Sequence, residues 1–549
     1  MMSVTGMAAD RSQARSMVIT TRGIVATSQT LASQAGAQAL ARGGSAVDAA
    51  IAANAVLGVV EPMSNGIGGD LFVLYRGGTT GKLTGLNASG WAPKKLTPRF
   101  LKDHGEKKMP QEGIHAVTVP GCVEGWERLH QKFGRLPWAE LFRPAMYYAS
   151  RGFPVTEMIH DSWASYRSKL AADANARGIF LAGGSAPAVG QVFRNEALAG
   201  ALKLVAEGGA NAYYRGPIAK AVLETSARSG GTMDASDLAE FRSEWVEPIS
   251  TDYHGWKVSE LPPNGQGMAA LEMLNIMERF PLDKLGQASA EALHYKIEAQ
   301  KLAYMDLERY LADPRFAEVP WAGLISKPYG ESRAKLVDRQ KAACKVEPGN
   351  PPRPQGDTIY LTVVDRDGNI VSLIQSLYLG FGSGVAVDGM GFHLHNRGGL
   401  FVLDEKHPNV LAPRKRPFHT IIPAYMEKGD IHIGFGIMGG LNQAQAHAQF
   451  VANIVDHGLN IQGALEAPRF TRLEFGGCGV LIENRYPAET LAALRKMGHQ
   501  LKVLGAYSPQ VGGGQAVAHD SARKVNYGAS SPRKDGAAVP EPDPYFSAR

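Results

Sequence analysis

The stretch Gly356-Asp357-Thr358-Ile359-Tyr360-Leu361-Thr362-Val363-Val364-Asp365-Arg366-Asp367-Gly368-Asn369-Ile370-Val371-Ser372-Leu373-Ile374-Gln375-Ser376 decides how this chain of 549 residues is read. Thr358–Asp365 and Ile370–Ser376 are rich in β-branched and aromatic residues and flank the turn residues Arg366-Asp367-Gly368-Asn369, which predicts a hairpin. The twelve positions before Thr358, residues 346–357, hold four prolines and two glycines. Such a segment cannot continue a helix and reads as an exposed, flexible connection. A threonine therefore opens a strand directly behind a linker.

Upstream of the linker the pattern is mostly helical. Thr30–Arg42 carries apolar residues at near-helical spacing and stops at Gly43-Gly44. Residues 45–60 follow, with Ser45 and Asp48 placed as a capping box and Asn54 the one polar interruption in an otherwise apolar helix. Leu71–Tyr75 reads as a strand. From about Pro120 to Lys341 helices are expected at Cys122–Phe133, Trp138–Arg151, Asn195–Glu207, Gly216–Arg228, Met268–Met277 and Ser289–Leu311. Downstream, strands are expected at Gly391–His395, Thr420–Met426, Ile431–Ile437 and Gln515–His519, with helices at Gln443–His457 and Pro487–Met497. Helices, then sheet, then helices imply an α+β fold, a layered αββα sandwich.

Composition is that of a globular chain, 44% hydrophobic and 20% charged. A net charge of +6 is mild for this length and argues against a nucleic-acid partner. The run Pro413-Arg414-Lys415-Arg416-Pro417 reads as a structural turn. Cys122, Cys344 and Cys478 are odd in number and far apart, so each is read as a buried small hydrophobe with no disulfide framework. Met1–Arg15 lacks a signal-peptide core, and no window is apolar enough to span a bilayer. The expected setting is cytoplasmic, without membrane association.

Thr358 admits two readings. Its side chain fits any buried strand. Freed as a new N-terminus, it would instead place a hydroxyl beside its own α-amine, whose ordinary pKa of about 7.7–8.0 suits it to accept a proton near neutral pH. Before cleavage the same hydroxyl can attack the carbonyl of Asp357. Gly439-Gly440 follows a predicted strand and precedes a helix, where two N–H groups can hold an oxyanion or simply make a tight turn. Gly66-Ile67-Gly68-Gly69 and Gly512-Gly513-Gly514 have neither phosphate-loop nor dinucleotide spacing and read as turns. His393 and His395, on one face of an expected strand, with His419, are a weak metal signal.

The chain also resembles the gamma-glutamyltranspeptidase family from about Gly23 to Val539. The shared motifs include residues 43–50, 119–126 and 133–138, the Thr358 strand with residues 363–369, residues 381–384, 415–417 and 467–470, Gly439-Gly440 and residues 528–530. The resemblance implies a four-layer αββα sandwich of the N-terminal-nucleophile (Ntn) hydrolases, made as one precursor. Cleavage between Asp357 and Thr358 would give a large chain, 1–357, and a small chain, 358–549, intertwined as one domain, with a heterotetramer of two processed protomers as a further expectation. Thr358 matches the nucleophile, Ser376 the supporting hydroxyl, and Gly439 and Gly440 the oxyanion-hole backbone. No cofactor or metal is called for; the partner is a small-molecule amide.

The departures concern the acyl pocket. Where the family's large chain has an arginine for the substrate α-carboxylate, this chain has Asn87-Ala88-Ser89-Gly90-Trp91-Ala92-Pro93. Two serines are replaced by His419 and Thr420. Positions that hold the α-amino group become Tyr378, Arg397 and Leu400. Arg397 would repel an ammonium and offers a planar fork for a carboxylate; it is equally read as a structural arginine paired with a nearby acid. The loop Phe401–Lys415 is shorter than in members with a lid, which suggests a more open pocket. These changes resemble the branch with cephalosporin-type acylases and oxamate amidohydrolase. The expected activity is hydrolysis or transfer of a small amide with an oxamate-like or glutaryl-like, carboxylate-bearing acyl group. True gamma-glutamyl transfer or glutathione hydrolysis, a metal-dependent amidohydrolase using His393, His395 and His419, and a non-catalytic binding protein are the competing readings.

Overall fold

A computed structural model describes residues 13–345 and 357–546, with the backbone alone at 182, 357, 358 and 546. Two seven-stranded sheets face each other. The first runs Ala537–Pro540, Ile24–Thr27, Asp357–Val364, Ile370–Tyr378, Asp70–Arg76, Leu83–Ala88, Glu244–Val246. The second runs Val18–Thr20, Val525–Ser530, Gly514–Asp520, Ile431–Ile437, Ala424–Lys428, Trp256–Glu260, Ile249–Tyr253. All neighbours in both sheets are antiparallel.

The period-2 pattern of the decisive hairpin explains the layering. Ile359, Leu361, Val363, Val371 and Leu373 join the core shared with the helices Thr30–Ala41 and Ala46–Val60. Tyr360, Val364, Ile370 and Ile374 point the other way and meet Phe72, Ile421, Tyr425 and Val517 between the two sheets. Behind the second sheet lie the helices Gly267–Met277, Ala290–Tyr310 and Asn442–Val455. The result is a four-layer αββα sandwich, as expected. Each fully buried Leu, Ile or Val in these layers contributes about 1.5–3 kcal/mol of transfer free energy.

Local signals hold where their chemistry is local. Ser45 caps the second helix, its hydroxyl accepting from Asp48 N–H while the Asp48 carboxylate accepts from Ser45 N–H at 2.8 Å. Asn54, buried in that helix, is satisfied by Trp126 Nε1–H at 2.8 Å. Asp365 Oδ1 accepts from the N–H groups of Asp367 and Asn369 at 3.0 Å each, which fixes the hairpin turn. The basic run is structural, as read: Arg414 reaches Glu240 at 2.7 Å and Arg416 reaches Glu244 at 2.8 Å.

The span between Pro120 and Lys341 is mostly helical, as expected, and in addition holds Ile249–Tyr253 and Trp256–Glu260, the outer edge of the second sheet. Two expectations are corrected. The proposed strand Gly391–His395 is a loop with one isolated bridge, Ala386 to His393. The cysteines are not all simple hydrophobes: Cys344 and Cys478 form a disulfide, and Cys122 is free and buried. The linker read over residues 346–357 falls, but for Asp357, outside the described residues. No helix among the described residues is long and apolar enough to cross a membrane.

Candidate active site

The strand carrying Thr358 lies inside the first sheet, between Ile24–Thr27 and Ile370–Tyr378. Thr358 is at its start, where the register steps: Asp357 pairs with Tyr378 and Ile359 with Gln375. Ser376 is therefore one residue beyond the partner of Ile359 on the adjacent strand. Its hydroxyl is buried and accepts from Tyr378 N–H at 2.7 Å. Tyr378 adopts φ +78°, unusual for a bulky residue, which turns the chain out of the sheet at the site.

Ser376 pairs in register with Asp70 on the next strand. Gly69, just before it, packs so closely that an added Cβ would lie 2.5 Å from the Ser376 carbonyl oxygen. This close approach brings Asp70 beside the site, buried from solvent. Asp70 Oδ1 accepts from Gly90 N–H at 3.1 Å, and Oδ2 accepts from His419 Nε2–H at 2.7 Å. His395 Nδ1 stands 3.5 Å and Arg397 Nε 3.7 Å from the same Oδ2.

Arg397 is fully buried. Its Nη1–H donates to Thr420 Oγ1 at 2.7 Å, and its guanidinium carbon lies 4.7 Å from the centre of the Tyr378 ring. The opposite edge, Nε–H and Nη2–H, has no hydrogen-bond partner among the described residues. Burial pulls the guanidinium down to about 10 against the attraction of Asp70 and Tyr378, so it stays charged at neutral pH. Burial, with Arg397 adding to it, holds His395 down to about 3, and His419 well below the usual imidazole range. Both rings are neutral.

Gly439-Gly440 sits where the strand Ile431–Ile437 gives way to the helix Asn442–Val455. Both glycines have positive φ, +121° and +61°. Gly440 C=O accepts from Gln266 Nε2–H at 2.9 Å, and the Gln266 side chain also donates to Thr420 C=O. One glutamine thus ties the turn to the wall that holds Arg397. Gly439→Ala should cost about 1–3 kcal/mol, since φ +121° strains any L side chain. The Cβ would also press on Asn442 at 3.2 Å. Thermal unfolding and turnover of that variant check this, and both should fall.

The structure brings Tyr378, Arg397, His419 and Thr420 together, next to Ser376 and the start of the Thr358 strand. Leu400, also buried, follows on the one-turn helix Arg397–Leu400. The shortened loop does not leave these side chains open to solvent. It does not assemble the three histidines as a metal site. His393 packs against the rings of Phe180 and Phe381 at 4.5 and 5.0 Å, while His395 and His419 are held at Asp70. Among the described residues, the one metal-like cluster is His294, Glu298 and His499, elsewhere in the fold. There His294 Nε2–H donates to Asp338 C=O at 2.7 Å, His294 Nδ1 faces His499 Nε2 at 2.8 Å, and Lys301 pairs with Glu298 at 2.6 Å. A cation already fills that role.

Sequence reading missed Asp70 and Gln266. Asp70 carried a usable signal: an acid opening an apolar strand directly after a glycine cluster is out of place unless it has a task. Gln266 had none, because its two partners lie more than 150 positions downstream.

Residues 32–541 match the family model described as gamma-glutamyltranspeptidase. The chain is 38% identical to the glutathione hydrolase-like YwrD proenzyme of Bacillus subtilis, covering 95% of this chain and 99% of that one. It is 34% identical to the oxamate amidohydrolase proenzyme of Klebsiella pneumoniae, with 95% and 99% covered. The crystal structure of cephalosporin acylase from Bacillus halodurans superposes with a TM-score of 0.91 at 41% identity, over 96% of this chain and 97% of that chain.

Proposed function

The chain belongs to the gamma-glutamyltranspeptidase family of amide-cleaving enzymes, and on that premise we propose that it is a self-processing amidohydrolase whose substrate carries a carboxylate on its acyl half. In processing, Thr358 Oγ attacks the carbonyl carbon of Asp357 and the peptide nitrogen leaves as the Thr358 α-amine. Water then opens the ester, leaving Asp357 with a carboxylate. In turnover the free α-amine takes the hydroxyl proton as Thr358 Oγ attacks the amide carbon. The N–H groups of the Gly439-Gly440 turn stabilise the oxyanion, and Ser376 supports the nucleophile. The leaving amine departs with the proton, and water or an acceptor amine releases the acyl group.

The observation that carries the substrate reading is the unpartnered Nε–H/Nη2–H edge of Arg397. A guanidinium buried with one whole edge unpaired is costly unless a ligand completes it. That edge matches the two oxygens of a carboxylate. The structural alternative, pairing with an acid, is only partly met, because Asp70 stands 3.7 Å from Nε and is not hydrogen-bonded to it. A gamma-glutamyl group would bring its ammonium toward this arginine and is disfavoured. The test is a comparison of glutaryl, oxamate-type, gamma-glutamyl and neutral acyl amides. The first two should give the highest kcat/KM, and equal turnover of the neutral acyl would reject the reading.

Processing has a further consequence. Cys344 lies before the cleavage point and Cys478 after it, so the disulfide would join the two product chains. Fragments of roughly 38 and 21 kDa, scaled from 357 and 192 residues, should separate on a denaturing gel only after reduction. Separation without reductant would show that the bond does not form in the purified protein.

A further inference from the structure

We propose that Asp70 is a specificity-determining positioning residue that works as a neutral acid, its Oδ2–H directed at His395 Nδ1, so that the charge of Arg397 is left for the substrate carboxylate. This rests on the carboxylate-acyl reading above. The hydrogen-bond bookkeeping makes the case. His395 Nε2 faces the Thr118 carbonyl at 2.9 Å, so Nε2 carries the ring proton and Nδ1 presents a lone pair. That lone pair is buried, has no partner among the described residues, and faces Asp70 Oδ2 at 3.5 Å. Oδ1 accepts from Gly90 N–H, and Oδ2 lies 2.7 Å from His419 Nε2, from which it accepts in the tautomer that carries its proton on Nε2. An ionised Asp70 would set a carboxylate oxygen against a nitrogen lone pair in a dry site. A proton on Oδ2 resolves the clash, and a closure of about 0.6 Å makes it an ordinary hydrogen bond.

The groups facing Asp70 from every side agree with this. Arg397 and Arg416 attract its charge, as do the N–H groups of Gly90 and Gly121, yet burial outweighs them and pushes the carboxyl up to about 7. His395 and His419 are neutral. Cys122 and Tyr213, also buried nearby, are held protonated by burial, with Asp70 adding to both. Of the four groups Asp70, His395, His419 and Arg397, only the arginine then carries charge in the acid form. Once Asp70 ionises, its charge competes for the guanidinium.

The sign follows. Below about pH 7 the pocket is cationic and binds a carboxylate well. Above it, binding must restore the proton on Asp70, so affinity falls by up to tenfold per pH unit while one proton is taken up. The test measures KM from pH 6 to 9 for glutaryl and valeryl p-nitroanilides, with wild type and Asp70→Asn. Asparagine with Nδ2 in the place of Oδ2 keeps Oδ1 as the acceptor for Gly90 N–H and supplies an N–H for His395 without an ionisation, and the neutral His419 ring takes its other tautomer to accept the second N–H. In wild type the glutaryl-to-valeryl KM ratio should rise about tenfold per unit above pH 7; in Asp70→Asn it should stay flat. Calorimetric titration of wild type with glutarate at pH 8, in two buffers of different ionisation enthalpy, should show uptake of close to one proton, and needs no variant to fold. A glutaryl preference at pH 6 that persists unchanged to pH 9, without proton uptake, would overturn the role of Asp70 alone. Absence of any glutaryl preference at pH 6 would overturn the carboxylate reading and this proposal with it.

Discussion

Purified Thr358→Ala is expected to remain a single 58.8 kDa chain without amidase activity, while wild type yields two fragments and a new N-terminus at Thr358. The expected size of the effect comes from the proposed use of one residue in both reactions. On that mechanism alanine removes the atom that attacks the Asp357 carbonyl, so the α-amine is not unmasked. It also removes the nucleophile of turnover, so hydrolysis should fall by at least about 10⁴-fold. Thr358→Ser retains the hydroxyl and should process, more slowly, because serine's χ1 is less constrained than that of a β-branched side chain. Mass spectrometry under reducing conditions and an amide-hydrolysis assay on the same samples check both variants. Cleavage at the Asp357–Thr358 bond in the alanine variant would assign processing to another group. Wild type that never cuts would leave a pocket on an enzyme fold without its nucleophile.

Much of this scaffold was legible because its signals are local. The alternation of Ile359, Leu361 and Val363 against Tyr360 and Val364 fixes which face meets helices and which meets the second sheet. Asp365 and Gly368 announce the hairpin turn, and Ser45 with Asp48 the start of the buried helix. The helix Cys122–Phe133 begins and ends as its apolar spacing predicts. The candidates Arg397, His419 and Thr420 came from the family resemblance, as the positions that match its substrate-binding residues, and no local signal marks them.

What escaped was set by distance in sequence. Ile249–Tyr253 and Trp256–Glu260 are short and follow a long helical tract, and they become strands because Ala424–Lys428 pairs with the second of them. Cys344 and Cys478 are separated by 134 positions, and only the fold brings their Cα atoms to 4.7 Å. His393 and His395 would share a face only in a strand. The loop instead sends one ring among Phe180 and Phe381 and the other to Asp70. Asp70 itself needed three long-range neighbours, His395, Arg397 and His419, before its role could be framed. Functional polar clusters are assembled by topology, so their members show in sequence as isolated anomalies.

Arg397→Met should separate recognition from chemistry. Methionine fills similar volume without charge, and the site loses a guanidinium whose Nε–H/Nη2–H edge is unpaired. A buried, bidentate charge-assisted contact to a carboxylate, once broken, costs about 2–5 kcal/mol. For a glutaryl or oxamate-type amide, kcat/KM should therefore drop by roughly 30- to several-thousand-fold. For a neutral acyl amide of the same length it should change within a few-fold, because Thr358 and the Gly439-Gly440 turn are untouched. Processing to two chains should survive for the same reason. With Asp70 as a neutral acid, Arg397→Met leaves no uncompensated charge behind, so stability should fall only modestly at pH 6 and more at pH 8, where Asp70 would ionise without its counter-charge. The losses are the 2.7 Å bond to Thr420 Oγ1, the stacking on Tyr378 and the 3.7 Å approach to Asp70. Arg397→Lys keeps the charge but not the fork, and should recover only a small part of the lost kcat/KM. Parallel decline for charged and neutral substrates would mean that Arg397 holds the site's shape and not its ligand. An undiminished rate on the charged substrates would place the carboxylate pocket elsewhere.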